Sequence, residues 1–362
     1  MKYIRTYGDY NSWKLDYSDT SRGFRLKPTL YKYSDVNIES KILLETDDPR
    51  KHGDSTYMEI DLSSDAEFSF YIGNKSGDTQ TTMNCSIDWG DGTVETKTIT
   101  KDDKGFKLAH SYVAGSYKIE LYNMERGYRV VGDVKNRKCL ISHSSSVKRV
   151  VLGNSVDSAG NYTFRSCTSL TSVHIPEGAT SIGNGAFNGC SSLKSIYIPE
   201  SVTRIWDSAF KDCTSLTSVY IPESVTRIGN GAFIYCTSLK SIYIPESVTS
   251  IEDSAFNQCS SLTSINIPKR VTSIRACIFY RCSSLTSINI PESVNSIGNQ
   301  AFERCSALIS ISSLNTTAPT LASYNVFYNL PTDGTLHIKP GATGYDAWLS
   351  KLPSGWIIVK DL

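Results

Sequence analysis

The stretch CTSLKSIYIPESVTSIEDSAFNQ (Cys236–Gln258) is one copy of a pattern that recurs every 23 residues. A cysteine opens each of seven successive copies, at Cys167, Cys190, Cys213, Cys236, Cys259, Cys282 and Cys305. A fixed period of this length indicates stacked structural repeats, in which each unit contacts mainly its neighbours. Such an array presents an extended binding surface rather than a deep cleft.

Within each copy, the spacing of apolar residues predicts a short strand and then a turn. Ile242 and Ile244 are two residues apart, which places both side chains on one face of a strand. Pro245 follows and ends the strand, because proline has no N–H to donate to the ladder. A second apolar set, spaced by three or four residues, predicts a short helical stretch across the coil. In one copy this set is Val225, Ile228, Ala232 and Phe233.

The array is expected to have a regular centre and irregular ends. Because one copy cannot bury its apolar residues alone, stacking is predicted to bring neighbouring strands to about 4.8 Å from each other. Eight coils are predicted within residues 139–315. Residues 147–167 form a degenerate first coil, with Ser144 where a cysteine is expected. The pattern is lost after Ile311, so residues 316–362 are predicted to be a C-terminal cap.

The sequence before the array has a different pattern. Tyr57–Leu62 and Glu67–Ile72 alternate apolar and polar residues, which predicts two strands. Cys85–Thr93 combines a strand with a tight Trp-Gly-Asp-Gly turn. Residues 56–138 are therefore interpreted as a separate β domain. Residues 1–55 are polar and rich in tyrosine, and are interpreted as an anchoring or assembly segment.

The repeat resembles that of a known family. Its pattern, Leu-x-Ser-Ile-x-Ile-Pro-x-Ser-Val-Thr-x-Ile-Gly-x-x-Ala-Phe-x-x-Cys, is similar to the BspA-type leucine-rich repeat over roughly residues 147–350. The closing segment Leu336–Pro340, with Tyr345 and Trp348, also resembles the usual end of those arrays. The resemblance implies a bacterial surface protein used in adhesion, without catalysis.

A second resemblance concerns residues 56–138. The Trp-Gly-Asp-Gly turn, followed by His110-Ser-Tyr112 and Gly115-Ser-Tyr117, resembles PKD-type immunoglobulin-like domains. That family implies a β-sandwich spacer. The predicted fold is therefore mainly β, with a leucine-rich-repeat solenoid of 23-residue coils preceded by an immunoglobulin-like β-sandwich.

Composition and charge limit the classes of binding partner and the locations to be expected for this protein. Lys and Arg total 37 against 36 Asp and Glu, a net charge of +1, which gives no reason to expect nucleic acid as a partner. No stretch approaches 18 apolar residues, so no membrane insertion is predicted. The first residues, MKYIRTYGDY, have no apolar core, so no signal peptide is predicted. Together with the resemblance, this leaves an extracellular or cell-surface location, or alternatively a virion.

No residue set predicts catalysis, a cofactor or a metal site. The 23-residue interval favours buried structural thiols over disulfides or metal ligands, since metal sites need clustered ligands. Asp88, Asp91 and Glu95 lie together in a turn, but a calcium loop needs more oxygen ligands at another spacing. The five histidines are scattered, so no catalytic triad can be nominated and the protein is predicted not to be an enzyme.

One surface column is a candidate binding site. The residue between the two inward Ile or Val positions points outward, and along the stack it is His174, Tyr197, Tyr220, Tyr243, Asn266 and Asn289. Lys194 and Lys240 lie beside this column. Two readings remain open: the tyrosines stabilise the sheet by cross-strand stacking, or they contact a protein or a glycan, since exposed tyrosines are common in binding sites.

Two functions follow from these patterns. The first is a non-catalytic binding or adhesion module whose sheet face contacts a protein or glycan on a host or neighbouring cell. The alternative is a phage virion or surface-assembly protein, such as a fibre, baseplate or capsid-decoration component. In that case residues 1–55 would dock to a scaffold or to another copy of the chain.

Overall fold

The computed structural model describes residues 12–16, 25–29, 55–73, 82–100, 106–122, 129–130, 132–133, 138–154, 156 and 158–362. The chain forms two compact units, residues 1–48 and 49–362. In the first unit, β1 (Ser12–Asp16) pairs antiparallel with β2 (Arg25–Thr29). Residues 1–55 are predicted to dock to a scaffold, and most of them lie outside the described residues.

The first part of the second unit is built from antiparallel strands. They are β3 (Thr56–Leu62), β4 (Ala66–Gly73), β5 (Thr82–Asp88), β6 (Val94–Thr100), β7 (Phe106–Tyr112), β8 (Gly115–Tyr122), β9 (Arg129–Val130), β10 (Gly132–Asp133) and β11 (Lys138–Cys139). The strands expected at Tyr57–Leu62 and Glu67–Ile72 are present as β3 and β4. One sheet has the order β3-β8-β5-β6 and the other β7-β4-β9, while β10 pairs with β11.

The core of this part is aromatic. Phe68, Phe70, Ile87 and Trp89 are all buried. The rings of Phe70 and Trp89, which come from the two different sheets, meet edge to face with centroids 6.5 Å apart. This geometry is one that aromatic pairs prefer, and it holds the two sheets together.

The remainder of the second unit coils into a solenoid of about nine turns. The chain as a whole is mainly β, with about 4% helix. The first ladder of strands in the solenoid is parallel. It consists of β12 (Val147–Val151), β13 (Ser172–His174), β15 (Ser195–Tyr197), β17 (Ser218–Tyr220), β19 (Ser241–Ile242), β21 (Ser264–Ile265), β23 (Ser287–Ile290), β25 (Ser310–Ser313), β27 (Thr335–Ile338) and β28 (Ile357–Val359). The same position of each repeat therefore recurs one coil further along this face.

A second parallel ladder occupies the other side of the coil. Its strands are β14 (Ser181–Ile182), β16 (Arg204–Ile205), β18 (Arg227–Ile228), β20 (Ser250–Ile251), β22 (Ser273–Ile274), β24 (Ser296–Ile297) and β26 (Thr320–Leu321). The short helical stretch predicted here was wrong at Arg227–Ile228. These two residues form a strand because the neighbouring coils supply parallel hydrogen-bond partners on both sides. The isoleucine of this strand points inward.

A column of stacked phenylalanines fills the interior. Successive rings are nearly parallel, with centroids 5.2–6.1 Å apart. The column comprises Phe164, Phe187, Phe210, Phe233, Phe256, Phe279, Phe302 and Phe327. Because each ring after Phe164 lies between two other aromatic rings, the column links the coils into one continuous core.

The cysteines form a second interior column that ties consecutive coils together. Each column thiol from Cys190 to Cys305, which excludes the off-phase Cys277, donates to the carbonyl of the phenylalanine 26 residues earlier, at 3.1–3.2 Å. The N-terminal end of the cysteine column differs from the prediction, which placed Ser144 at the position where a cysteine is expected. There Cys139 contacts Cys167, and its Sγ donates to the carbonyl of Thr163 at 2.8 Å. Cys139 is out of phase with the repeat, so the period could not indicate it.

The antiparallel strands before the array and the solenoid share one sheet. Strand β12 pairs parallel with β13 on one side and antiparallel with β3 on the other, in the order β13-β12-β3-β8-β5-β6. The N–H of Gly153 also donates to Thr56 Oγ1 at 3.0 Å. The edge of the first coil is therefore covered, which is how solenoids protect their ends.

The C-terminal residues continue the stack beyond the predicted boundary. Strands β27 and β28 extend the first ladder, although residues 316–362 depart from the repeat. Phe327 stands 25 residues after Phe302 and still stacks on it at 6.0 Å. Trp348, in helix α1 (Asp346–Leu349), then closes the column at 5.3 Å from Phe327. Within the described part of the chain, no helix is both long and apolar enough to cross a bilayer.

Candidate functional site

The predicted tyrosine column lies on the outer face of the first ladder. Tyr197 and Tyr220 are register partners in β15 and β17, and both are half-buried. Their rings are stacked, with centroids 6.4 Å apart and planes 3° from parallel. Tyr243, also half-buried, follows β19 in the next coil. The three side chains therefore occupy the same place on three consecutive coils.

Two hydroxyl groups of this column, those of Tyr197 and Tyr220, hydrogen-bond to glutamates of the preceding coil. Tyr220 Oη donates to Glu200 Oε1 at 3.0 Å, and Tyr197 is hydrogen-bonded to Glu177. Burial, followed by the charge of Glu200, raises the pKa of Tyr220, so its hydroxyl stays protonated and acts as a donor. Because the hydroxyls are held in this way, the rings are fixed in orientation.

The packing also affects the protonation of the glutamates that bond to the tyrosines. Burial and the neighbouring charge of Glu200 raise the pKa of Glu177, against the opposing effect of its hydrogen bond with Tyr197. The residues after the prolines, mostly glutamates such as Glu177 and Glu200, are predicted from the sequence to form a solvated edge. The structure joins the two columns, because Tyr220 reaches back by 20 residues to Glu200.

The other predicted site residues are placed differently. His174 is half-buried, and burial, then the charge of Arg149, lowers its pKa. Asn266 is engaged by the preceding coil: its Nδ2 donates to the carbonyl of Ile244 at 2.6 Å and its Oδ1 accepts from the N–H of Ile244 at 2.8 Å. The remaining members, Asn289, Lys194 and Lys240, are exposed. His174 and the three tyrosines thus occupy equivalent, half-buried positions on four consecutive coils, while the amide of Asn266 is used internally.

The carboxylates of the Trp-Gly-Asp-Gly turn stabilise the turn itself. Asp88 Oδ1 accepts from Gly90 N at 2.8 Å, and Asp91 Oδ1 accepts from Thr93 N at 2.9 Å. His110 Nε2 lies 2.7 Å from Asp91 Oδ2, and this hydrogen bond lowers the pKa of Asp91. Among the described residues, no group of three or more His, Cys, Asp or Glu side chains is placed to hold a metal ion.

The two segments that carried the second resemblance contact each other around Trp89. The His110 ring stacks on the indole with centroids 4.9 Å apart. Tyr112 Oη donates to the carbonyl of Trp89 at 2.9 Å. The histidine–tyrosine segment therefore supports the turn from the facing sheet, and this cluster has a structural role.

Comparison with known families agrees with the repeat geometry. The model of the BspA type leucine rich repeat region matches residues 137–260 and 226–338, together more than half of the chain. The chain belongs to the BspA-type leucine-rich repeat family.

Several solved structures are similar to this BspA-type protein. A leucine rich repeat protein of T. pallidum is 33% identical, over 44% of this chain and 77% of that one, with a TM-score of 0.43. A leucine rich cell surface protein of Faecalibacterium prausnitzii is 23% identical, over 66% and 83% of the two chains, with a TM-score of 0.35. The pneumococcal vaccine antigen PcpA is 16% identical, over 59% and 68%, with a TM-score of 0.38. No curated protein gives a significant match.

The cysteines of this BspA-type array are all free thiols, and most are buried. Burial raises the pKa of the Cys282 thiol to about 12 and that of Cys236 well above its ordinary value. Because the thiolate is the reactive form, these groups are shielded both sterically and electrostatically. Of the ten cysteines, only Cys139 and Cys277 are partly exposed.

We expect alkylation to distinguish these two classes of thiol. Brief treatment of the folded protein with iodoacetamide should modify at most Cys139 and Cys277, whereas treatment in guanidinium should modify all ten cysteines. Peptide mass spectrometry identifies the sites, and a Cys277→Ser variant should lose that label alone. Modification of Cys213 or Cys236 in the folded state would contradict the packing.

Two further surface features were not predicted from the sequence. A groove of about 350 Å³ crosses the turns near the C-terminal end, where Arg281 and Arg304 lie one coil apart. Its serine hydroxyls are used in hydrogen bonds between coils, since Ser283 Oγ donates to the carbonyl of Ser260 at 3.2 Å.

The other feature surrounds Trp206 on the second ladder. Its signal in the sequence is a tryptophan where the adjoining copies have glycine, Gly183 and Gly229.

Proposed function

We propose that this protein is a non-catalytic binding or adhesion module that acts outside the cell or at its surface. Its contact surface is the tyrosine face, formed by His174, Tyr197, Tyr220 and Tyr243. The observation that carries this proposal is the pair of parallel, hydrogen-bonded tyrosine rings on consecutive coils. Rings held in this way lose little conformational freedom when a partner binds, so more of the contact energy appears as affinity.

Membership in the BspA-type family supports the same proposal. Stacked repeats place equivalent side chains at regular intervals on a broad surface, which suits contact with an extended partner. Tyrosine is enriched in binding hot spots because it combines an apolar face with a polar tip. The exposed Lys194 and Lys240 border the tyrosine face and add hydrogen-bond donors for a protein or glycan.

A triple substitution tests the tyrosine face. Replacing Tyr197, Tyr220 and Tyr243 with alanine is expected to weaken binding by at least about tenfold, which corresponds to about 1.4 kcal/mol. The full chain and the variant would be compared on a glycan array and on an array of purified extracellular-matrix proteins. The strongest hit would then be titrated by surface plasmon resonance.

Two control variants separate binding from stability. The triple change Thr203→Ala, Thr226→Ala and Thr249→Ala alters exposed positions of the second ladder in the same three coils and should leave binding unchanged. Replacing the three tyrosines with phenylalanine keeps the rings but removes the hydroxyls that bond to glutamate. If the alanine variant folds, as judged by circular dichroism, and binds like the parent chain, the tyrosines only stabilise the sheet.

A further inference from the structure

Trp206 occupies an unusual place in the solenoid. It follows the inward Ile205 of β16, where the neighbouring coils have Gly183 and Gly229. Its side chain is partly exposed, whereas Trp89, Trp348 and Trp356 are buried. Since the equivalent residue is glycine in both adjacent coils, packing of the array does not require an indole at this position. Large, partly exposed aromatic side chains of this kind are common at binding sites.

A cavity of about 250 Å³ lies against this tryptophan. Gly160 and Gly183, from the two preceding coils, also line it. A Cβ at Gly183 would lie 2.6 Å from the carbonyl carbon of Gly160, so this glycine lets the two coils approach closely. Asn161, Asn184 and Ser181 add polar groups to the lining, and no charged side chain contributes to it. The cavity therefore combines one aromatic wall with neutral hydrogen-bonding groups.

The side chains of this cavity are held in defined orientations. Asn161 Oδ1 accepts from the N–H of Asn184 at 2.7 Å, and Asn184 Oδ1 accepts from the N–H of Asp207 at 3.2 Å. Among the described residues, neither side-chain NH₂ group has an acceptor, so both remain available as donors. The guanidinium carbon of Arg204 lies 5.5 Å from the centre of the Trp206 ring and is not part of the lining.

We propose that Trp206 and this cavity bind a neutral pyranose ring of a saccharide. The C–H face of a pyranose packs on an indole through weak C–H···π contacts. Its hydroxyls pair with the amides of Asn161 and Asn184 and with Ser181. A wholly apolar ligand would leave these polar groups without partners, which is costly. A charged ligand would find no opposite charge in the lining.

This saccharide site is separate from the tyrosine face. Trp206 belongs to the second ladder, whereas Tyr220 belongs to the first ladder on the other side of the coil. Each site can therefore be tested while the other is intact. The proposal also does not depend on whether the tyrosine face binds a protein or a glycan.

Saturation-transfer NMR on the full chain tests the site with four probes. They are the methyl pyranosides of glucose, galactose, mannose and N-acetylglucosamine. At least one should receive saturation at its ring C–H protons, and its affinity should fall at least about tenfold in Trp206→Gly. That variant copies Gly183 and Gly229, so it is expected to fold. Tyr220→Ala should leave the transfer unchanged.

A second variant distinguishes loss of the indole from a folding defect as the cause of weaker binding. Trp206→Glu copies Glu252, which holds the equivalent position two coils further on. It should lower the affinity for the pyranoside at least as much as Trp206→Gly does. The proposal is overturned if none of the four pyranosides receives saturation, or if either folded Trp206 variant binds as tightly as the parent chain. A transfer lost in Tyr220→Ala but kept in Trp206→Gly would assign sugar binding to the tyrosine face instead.

Discussion

Replacing Phe233 with alanine is expected to lower the free energy of unfolding by about 3–5 kcal/mol. Phe233 is fully buried at the centre of the phenylalanine column. Its ring lies 5.2 Å from that of Phe210 and 5.5 Å from that of Phe256. The substitution removes both stacking contacts and leaves a cavity that the backbone cannot close, because each coil is held at a fixed spacing by its neighbours.

Guanidinium denaturation followed by circular dichroism measures this loss. Phe233→Leu is the matched control, and it should lose less stability because leucine refills most of the volume without stacking. Tyr220→Ala, on the outer face of the same copy, should also cost less, since Tyr220 is only half-buried. A loss below about 1 kcal/mol for Phe233→Ala would show that the column does not carry the stability of the array.

Removing the antiparallel strands that precede the array is expected to make the solenoid self-associate. A fragment of residues 139–362 retains β12 but loses β3, its antiparallel partner. The unpaired edge of β12 would then present free backbone donors and acceptors, and the buried Val147 and Val150 would lose cover. Solenoids whose ends are uncovered in this way tend to aggregate. A fragment of residues 49–362, which corresponds to the whole second unit, keeps this edge paired.

Light scattering after size exclusion would compare the two fragments over a range of concentrations. The 49–362 fragment should show no concentration-dependent change of mass, while the mass of the 139–362 fragment should rise with concentration. Its melting temperature should also be lower. If both fragments have the same mass and melting temperature, β3 is dispensable as a cover. Binding experiments should accordingly use a chain that contains residues 49–362.

The interior of the array was largely predictable from the sequence. The leucine, isoleucine and cysteine columns read from the 23-residue period are buried, and the Ile-x-Ile positions form the first ladder. The prediction succeeded because each inward residue packs on its own equivalent one coil away. A periodic sequence therefore specifies its own neighbours. The second ladder was missed because two-residue strands are too short to produce a period-2 pattern.

The backbone of the turns was not predictable in the same way. The residue before each column cysteine has a left-handed conformation, with φ of 59° at Asp212, 63° at Tyr235 and 58° at Arg281. Glycine is the usual signal of this conformation, but it occurs at this position only in the copy with Gly189. The stacked coils on either side impose the conformation, so the residue type does not indicate it.

The sequence by itself determined the repeat length, the inward columns and the outward tyrosines, because these depend on contacts between equivalent positions of adjacent copies. Only the tertiary structure decided the contacts between positions unrelated by the period. These include the pairing of β12 with β3 and the placement of Cys139 beside Cys167. Such contacts depend on how the chain closes in space, and no local spacing of residue types encodes that closure.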